Sequence, residues 1–299
     1  MKKNVIVWLI IGIALILTGT LLIGGAMTMI KWNFLDLSLN EFETKEYVIS
    51  DSYENIRIFS KDADILIEPS GSEETKIICI EQKNLTYSAE VKDNTLLIET
   101  TDTRKWTDYI SFNIKQRKIT VCLPQDEYEN LIINGDTGYV NVASEFKFNN
   151  IEISQSTGKI LNFASAKNNI TLSTNTGGIT VGNVCAKNIS VNVTTGKVNL
   201  EDISCENLIS NGNTGDILLK NTEATQMNIT RSTGDVELDN CDGKSISIET
   251  NTGDIKGSLK TPKIFETKTS TGKIEVPESS EGGTCTLTTS TGNITIGLS

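Results

Sequence analysis

Histidine is missing altogether from the 299 residues. With it go Ser-His-Asp and Cys-His nucleophile arrangements, histidine zinc sites and the usual general base near neutral pH. Positive charge is also scarce, with 27 Lys and Arg against 38 Asp and Glu. Three of the basic residues (Lys2, Lys3 and Lys31) flank the first apolar run, so the chain beyond Lys31 holds 24 basic against 38 acidic residues, a net of −14. A surface this acidic repels nucleic acid and anionic lipid or wall polymer unless divalent cations bridge them, so no nucleic-acid partner is expected. Helix of convincing length is missing too once the first thirty residues are passed.

The first of the features that are present is the uncharged run from Asn4 to Ile30. As a helix rising about 1.5 Å per residue it reaches roughly 40 Å, more than a hydrocarbon core of about 30 Å. Lys2 and Lys3 precede it, Lys31 follows, and Asp36, Glu41 and Glu43 come next. This bias predicts a single-pass anchor with a cytoplasmic N-terminus and an extracytoplasmic remainder, with Trp8 and Trp32 near the two interfaces. A cleaved signal peptide is the competing expectation, but its apolar core should be about 7 to 15 residues and end in a small-residue cleavage site. The expected divisions are a tail (1–3), an anchor (4–30), a tether (31–46), an N-terminal β region (47–127) and a repeat region (128–299).

Residues 47–127 read as separate β runs, among them "NIRIFS", "ADILIEP", "KIICIEQ" and "KITVCLP", rich in Ile, Val and Leu and bounded by turn residues. The stretch "TRKWTDYISFNIKQRK" (103–118) is an aromatic and basic cluster, read either as a Lys- and Arg-protected edge hairpin or as a contact site for a partner.

From residue 128 a short phrase recurs. Thr-Gly pairs place glycine at 138, 158, 177, 196, 215, 234, 253, 272 and 292, in steps of 20, 19, 19, 19, 19, 19, 19 and 20. A period near 20 with internal β alternation predicts an all-β, parallel β-solenoid of about nine coils. Seven residues before each Gly stands an apolar residue: Leu131, Ile151, Ile170, Ile189, Leu208, Met227, Ile246, Phe265 and Cys285. Two after it stands Val or Ile throughout, from Val140 to Ile294. These are the expected inward ladders. Gly138, Gly158, Gly177, Gly196, Gly215, Gly234, Gly253, Gly272 and Gly292 are assigned to corners needing positive φ, each two residues after a Ser, Asn, Asp or Thr. Asn130, Asn150, Asn169, Asn188 and Asn207, followed by Gln226, fall eight before the Gly and are expected to form a second corner of stacked amides. A third apolar pair in the central coils, such as Val184 with Ala186, predicts a third short face.

An extracytoplasmic β region with "KITVCLP" ahead of head-to-tail "[SN]TG[DKN][IV]" repeats, behind an N-terminal anchor, resembles the bacterial β-strand-repeat family labelled as adhesin-like or as a domain of unknown function, LiaG-like proteins included. The resemblance covers roughly residues 47 to 299. It implies a non-enzymatic solenoid attached to the cell envelope, often in envelope-stress contexts, and it supplies no catalytic residue, cofactor or metal.

Two functional readings follow. The first is an anchored structural or interaction module whose polar faces meet an envelope protein or a glycan. Within it, the final coil, ending at Ser299 with no polar cap, is a possible self-association surface. The second is a carbohydrate-active or Ca²⁺-binding surface using Asp216, Asp235 and Asp254, the residues just after three turn glycines. Against it, nearby Lys197, Lys273 and Arg231 relieve the charge, and one acid per 19 residues is sparser than calcium-binding repeats require. Of the six cysteines, Cys79, Cys122, Cys205, Cys241 and Cys285 are expected as small core residues and Cys185 as an outward, reactive one. Cys185 and Cys205 are expected on opposite faces, so no disulfide between them is predicted.

Overall fold

A computed structural model describes residues 3–29, 42–105 and 116–299. Helix α1 (Lys3–Met29) carries the apolar run, and its segment Ile6–Met29 is long and apolar enough to cross a membrane. Lys31 and Trp32, most of the tether and residues 106–115 of the aromatic and basic cluster lie outside the described residues.

The rest is strand. The N-terminal part contains β1 (Phe42–Ile49), β2 (Asn55–Asp62), β3 (Asp64–Pro69), β4 (Thr75–Gln82), β5 (Leu85–Lys92), β6 (Thr95–Asp102) and β7 (Lys118–Leu123). The repeats begin with β8 (Glu127–Thr137), β9 (Val140–Val142), β10 (Lys147–Thr157), β11 (Ile160–Asn162) and β12 (Ser165–Thr176). Four 17-residue strands follow: β13 (Ile179–Thr195), β14 (Val198–Thr214), β15 (Ile217–Thr233) and β16 (Val236–Thr252). The chain ends with β17 (Ile255–Leu259), β18 (Lys263–Thr271), β19 (Ile274–Glu275), β20 (Gly283–Thr291) and β21 (Ile294–Leu298).

Consecutive repeats pair in parallel with a 19- or 20-residue offset, so like positions stack: Ile189 on Ile170, Leu208 on Ile189, Met227 on Leu208. This is a β-solenoid of about nine turns, built because each coil alone cannot bury its apolar residues and its neighbour can. The inward ladders are sealed from solvent, with Leu131, Ile170, Leu208, Val140, Ile179 and Ile217 at 0% exposure. At about 1.5–3 kcal/mol per fully buried aliphatic side chain, these ladders are the main source of stability. A third wall is formed where Val184, Ile203 and Thr222 stack, with Cys241 next at the same position, all buried.

Two features depart from a simple head-to-tail stack. The N-terminal β region is continuous with the solenoid: β2 lies in parallel between β6 and β8, and β3 between β7 and β9. Ala63 there occupies the corner place, its carbonyl lying beneath Gly138. Beyond this coil, β5 pairs antiparallel with β6, and β4 with β7 and β1, capping that end of the stack. Arg104 holds Asp62 and Asp102 at 2.9 Å, and Arg117 holds Asp62 at 2.7 Å, tying both arginines to this end.

The second departure corrects the expectation that the final coil ends the rod. Strand β20 pairs with β16 on one side and β18 on the other, and β21 lies between β17 and β19. The last coil is therefore inserted between the Gly253 coil and the Gly272 coil, and β18 with β19 forms the terminal one. The physical sign is burial: among the two inward ladders only Phe265 and Ile274, both in that coil, are not buried, and Ile274 is 42% exposed.

Candidate functional site

The repeated corner is set by backbone approach. The nine turn glycines have φ between 125° and 154°, a region closed to residues with a Cβ. A Cβ on Gly215 would lie 2.1 Å from the Gly196 carbonyl oxygen, and one on Gly196 would lie 1.7 Å from that of Gly177. The coils touch through bare backbone here, and the N–H of every turn glycine but Gly272 donates to the Thr carbonyl of the adjoining coil, as Gly196 does to Thr214 at 2.8 Å.

Just after each glycine the side chains form a strip along the rod. Asp216 Oδ1 accepts the Asp235 N–H at 3.2 Å, Asp235 Oδ1 that of Asp254 at 2.9 Å, and Asp254 Oδ1 that of Asn293 at 2.7 Å. Asn293 Oδ1 in turn accepts from Lys273 N at 3.0 Å. Each acid thus caps a backbone donor of the adjoining turn. The nearby Lys197 ammonium, 3.0 Å from Asp216, holds that carboxyl below the usual carboxylate range, helped by the Asp235 N–H. Among the described residues no group of three or more acidic or Cys side chains is arranged to hold a metal ion.

The second corner is a chain of amides. Nδ2 of Asn150 donates to Asn130 at 3.0 Å, Asn169 to Asn150 at 2.8 Å, Asn188 to Asn169 at 2.9 Å and Asn207 to Asn188 at 2.8 Å. It extends to Asn55 of β2, which accepts from Asn130 at 2.7 Å. A further corner escaped the sequence reading. Asn183, Asp202, Asn221 and Asn240, six residues after their glycines, sit at φ 47° to 56°, the left-handed region Asn and Asp tolerate best. Asn221 donates to Asp202 at 2.9 Å and Asn240 to Asn221 at 2.8 Å. The Asn/Asp recurrence at that offset was the available signal.

The six cysteines are all free thiols. Cys79, Cys241 and Cys285 are buried, Cys205 is half-buried against the core and Cys185 is exposed. Cys122 departs from the core expectation: it is half-exposed, because Ile119, Val121 and Leu123 take the inward places of β7. Burial pushes the Cys79 and Cys285 thiols up to about 12.

Two grooves lie on the outer surface of the described residues. One, of about 490 Å³, runs past Phe59, Glu99, Asn134 and Ser154. The other, of about 530 Å³, is lined by the small residues Cys205, Ala224 and Gly243 together with Lys263 and Asp242. Burial alone would raise the Asp242 carboxyl, but Lys263 at 2.5 Å, with further hydrogen bonds, brings it below its ordinary range. Arg231, by contrast, is 2% exposed with its guanidinium over Gly212, donating to Ser210 Oγ at 2.9 Å and the Thr230 carbonyl at 3.1 Å. Burial lowers its pKa to about 10.

Residues 53–297 match the family described as Toastrack DUF4097. The chain belongs to that family. Among solved structures, a "putative lipid binding protein" from Parabacteroides distasonis is 17% identical, covering 87% of this chain and 98% of its own with a TM-score of 0.51, a likeness of fold. A "putative adhesin" from Parabacteroides merdae is 12% identical over 87% of this chain and 98% of its own, with a TM-score of 0.49. Another from Bacteroides fragilis is 16% identical over 86% and 97%, with a TM-score of 0.41. No match was found among curated proteins.

Proposed function

We propose that this Toastrack chain is a membrane-anchored, extracytoplasmic structural and interaction module of a bacterial envelope, adhesin-like in role and employed where the envelope is under stress. The observation that carries the reading is the outer strip of one wall. Asn134, Ser154, Ser173, Asn192, Asn211 and Thr230 stand in register along the stack, with Ser173 bonded to Ser154 and Asn211 to Asn192, each at 3.1 Å. A flat, uncharged row of hydroxyls and amides at about 4.8 Å intervals suits repeated hydrogen bonding to a protein strand or glycan. The acids after the turn glycines are committed to neighbouring N–H groups, which favours a structural role for them over acid/base chemistry. The description of the Parabacteroides distasonis protein raises lipid as a ligand, but the net charge of −14 beyond Lys31 disfavours anionic headgroups.

The test begins with exposed Cys185. A membrane-impermeant maleimide should label it on intact cells, and photo-crosslinkers at Asn192 and Asn211 should capture an envelope protein or glycan. Labelling only after lysis would overturn the topology. Hydrolysis of wall polysaccharide by the purified chain, lost in Asp235→Asn, would replace the module reading with the enzymatic one.

A further inference from the structure

The inserted last coil leaves β18 as a bare edge. Its one strand partner among the described residues is β20. The Thr271 and Lys273 carbonyls point back to Gly292 and Ile294, so by strand alternation the N–H and C=O groups of Ile264, Glu266, Lys268 and Ser270 point off the end of the rod. Unpaired edges of this length are templates for pairing and are ordinarily capped. The opposite end is capped, by antiparallel β4 and β5; no strand among the described residues caps this one. Apolar residues are open to solvent at the same place: Phe265 is half-buried, and Ile264 and Ile274 are 41% and 42% exposed.

We propose that the occupant of this edge is the β18 edge of a second copy of the chain, joined antiparallel about a two-fold axis through Thr267. Three observations select it. Antiparallel pairing about Thr267 sets Glu266 opposite Lys268 of the second copy, and Lys268 opposite Glu266, so both charges are matched twice. It pairs Ile264 with Ser270 through the groups that are free, because the even-numbered residues face the partner on both sides. Shifting the axis by one residue either way places Glu266 against Glu266 or Lys268 against Lys268, and like charges directly opposite are unfavourable. The terminal segment 263–282 carries three lysines and four glutamates, close to neutral where the molecule as a whole is strongly acidic, so two such ends approach with little repulsion. Phe265 then faces Thr269 of the second copy and gains the adjoining strand that its counterparts in the other coils have. The inference goes beyond the envelope-module reading and stands or falls without it.

The experiment uses the full-length chain in detergent micelles. Residues facing across the axis in a non-hydrogen-bonded antiparallel pair have Cα atoms about 4.5 Å apart, within disulfide range. Thr267→Cys should therefore yield a covalent dimer under mild oxidation, above the background of the unsubstituted chain. Lys268→Glu added to it should cut the yield about tenfold, because two charge pairs turn repulsive, and adding Glu266→Lys as well should restore it. Sedimentation of the chain without the new cysteine should show the same loss and recovery, which keeps the test decisive if Thr267→Cys fails to fold. A chain that stays monomeric at every concentration, or dimers indifferent to both charge changes, would overturn the proposal.

Discussion

Replacing Gly215 by Ala asks the stack to accept one methyl group where it has no room. The new Cβ would lie 2.1 Å from the Gly196 carbonyl oxygen and 2.6 Å from its carbon. Those are backbone atoms of a residue whose N–H is bonded to Thr214 of the next coil, so neither can swing aside as a side chain would. Two costs add. Holding a non-glycine residue near φ 125° costs about 1–3 kcal/mol, and forcing a methyl into a filled contact costs about 1–3 kcal/mol more. The sum, about 2–6 kcal/mol, corresponds to a fall in Tm of roughly 5–20 °C for a domain of this size. The control is Gly71→Ala, in an exposed turn where a Cβ meets nothing within 4 Å; a substitution of that kind stays within about 0.5 kcal/mol. Circular dichroism melts of the two variants in the same detergent measure the difference. If Gly215→Ala melts within a degree or two of Gly71→Ala, the coils are not held apart by backbone contact alone and the corner argument fails.

Asn188 donates to Asn169 and accepts from Asn207, so Asn188→Ala should cost about 1–2 kcal/mol in chemical denaturation, while Asn149→Ala, outside the ladder, should cost less. Arg231 is buried with no carboxylate within ion-pair reach among the described residues, so Arg231→Met should leave stability unchanged or raise it by about 1–2 kcal/mol; a loss of more than about 1 kcal/mol would show that its two hydrogen bonds outweigh its desolvation. The Arg104 guanidinium holds Asp102 far below the usual carboxylate range. The stability from that pair should be present above about pH 4 and disappear as pH falls further, and Asp102→Asn should flatten the acid limb of a stability profile. At the alkaline end the sign reverses. Cys79 and Cys285, raised to about 12, remain protonated when the unfolded chain ionises, so stability should decline from about pH 8.5 upward, less steeply in Cys79→Ala/Cys285→Ala.

The coils were legible because each corner imposes glycine and each inward place imposes an apolar residue, a demand repeated often enough to be counted. Coil order was not legible. The segment around Gly292 satisfies the same template as that around Gly272, and pairing rules alone do not say which lies outside. The distinguishing mark was the Gly282–Gly283 pair: a Cβ on Gly282 would strike the Pro262 carbonyl oxygen at 1.9 Å, and one on Gly283 that of Lys244 at 2.2 Å, the close approach needed to thread a coil between two others. The coil of β2 and β3 was hidden for a different reason. Its corner is Ala63, with no Thr-Gly phrase, so only the later match of Ile65 to Val140 places it in the stack. At the strip after the turn glycines, the acids were visible in the sequence, but their use as caps for the neighbouring turn depends on which N–H each faces.

The threaded final coil also bears on how the protein is made. Residues 283–298 are made after β18, yet they occupy the place before it in the stack. Strand β18 therefore waits for its neighbour until residues 283–291 have been made. A tag fused to Ser299, whose N–H is held by the Leu259 carbonyl at 3.0 Å, would emerge from the flank of the rod and leave its tip clear.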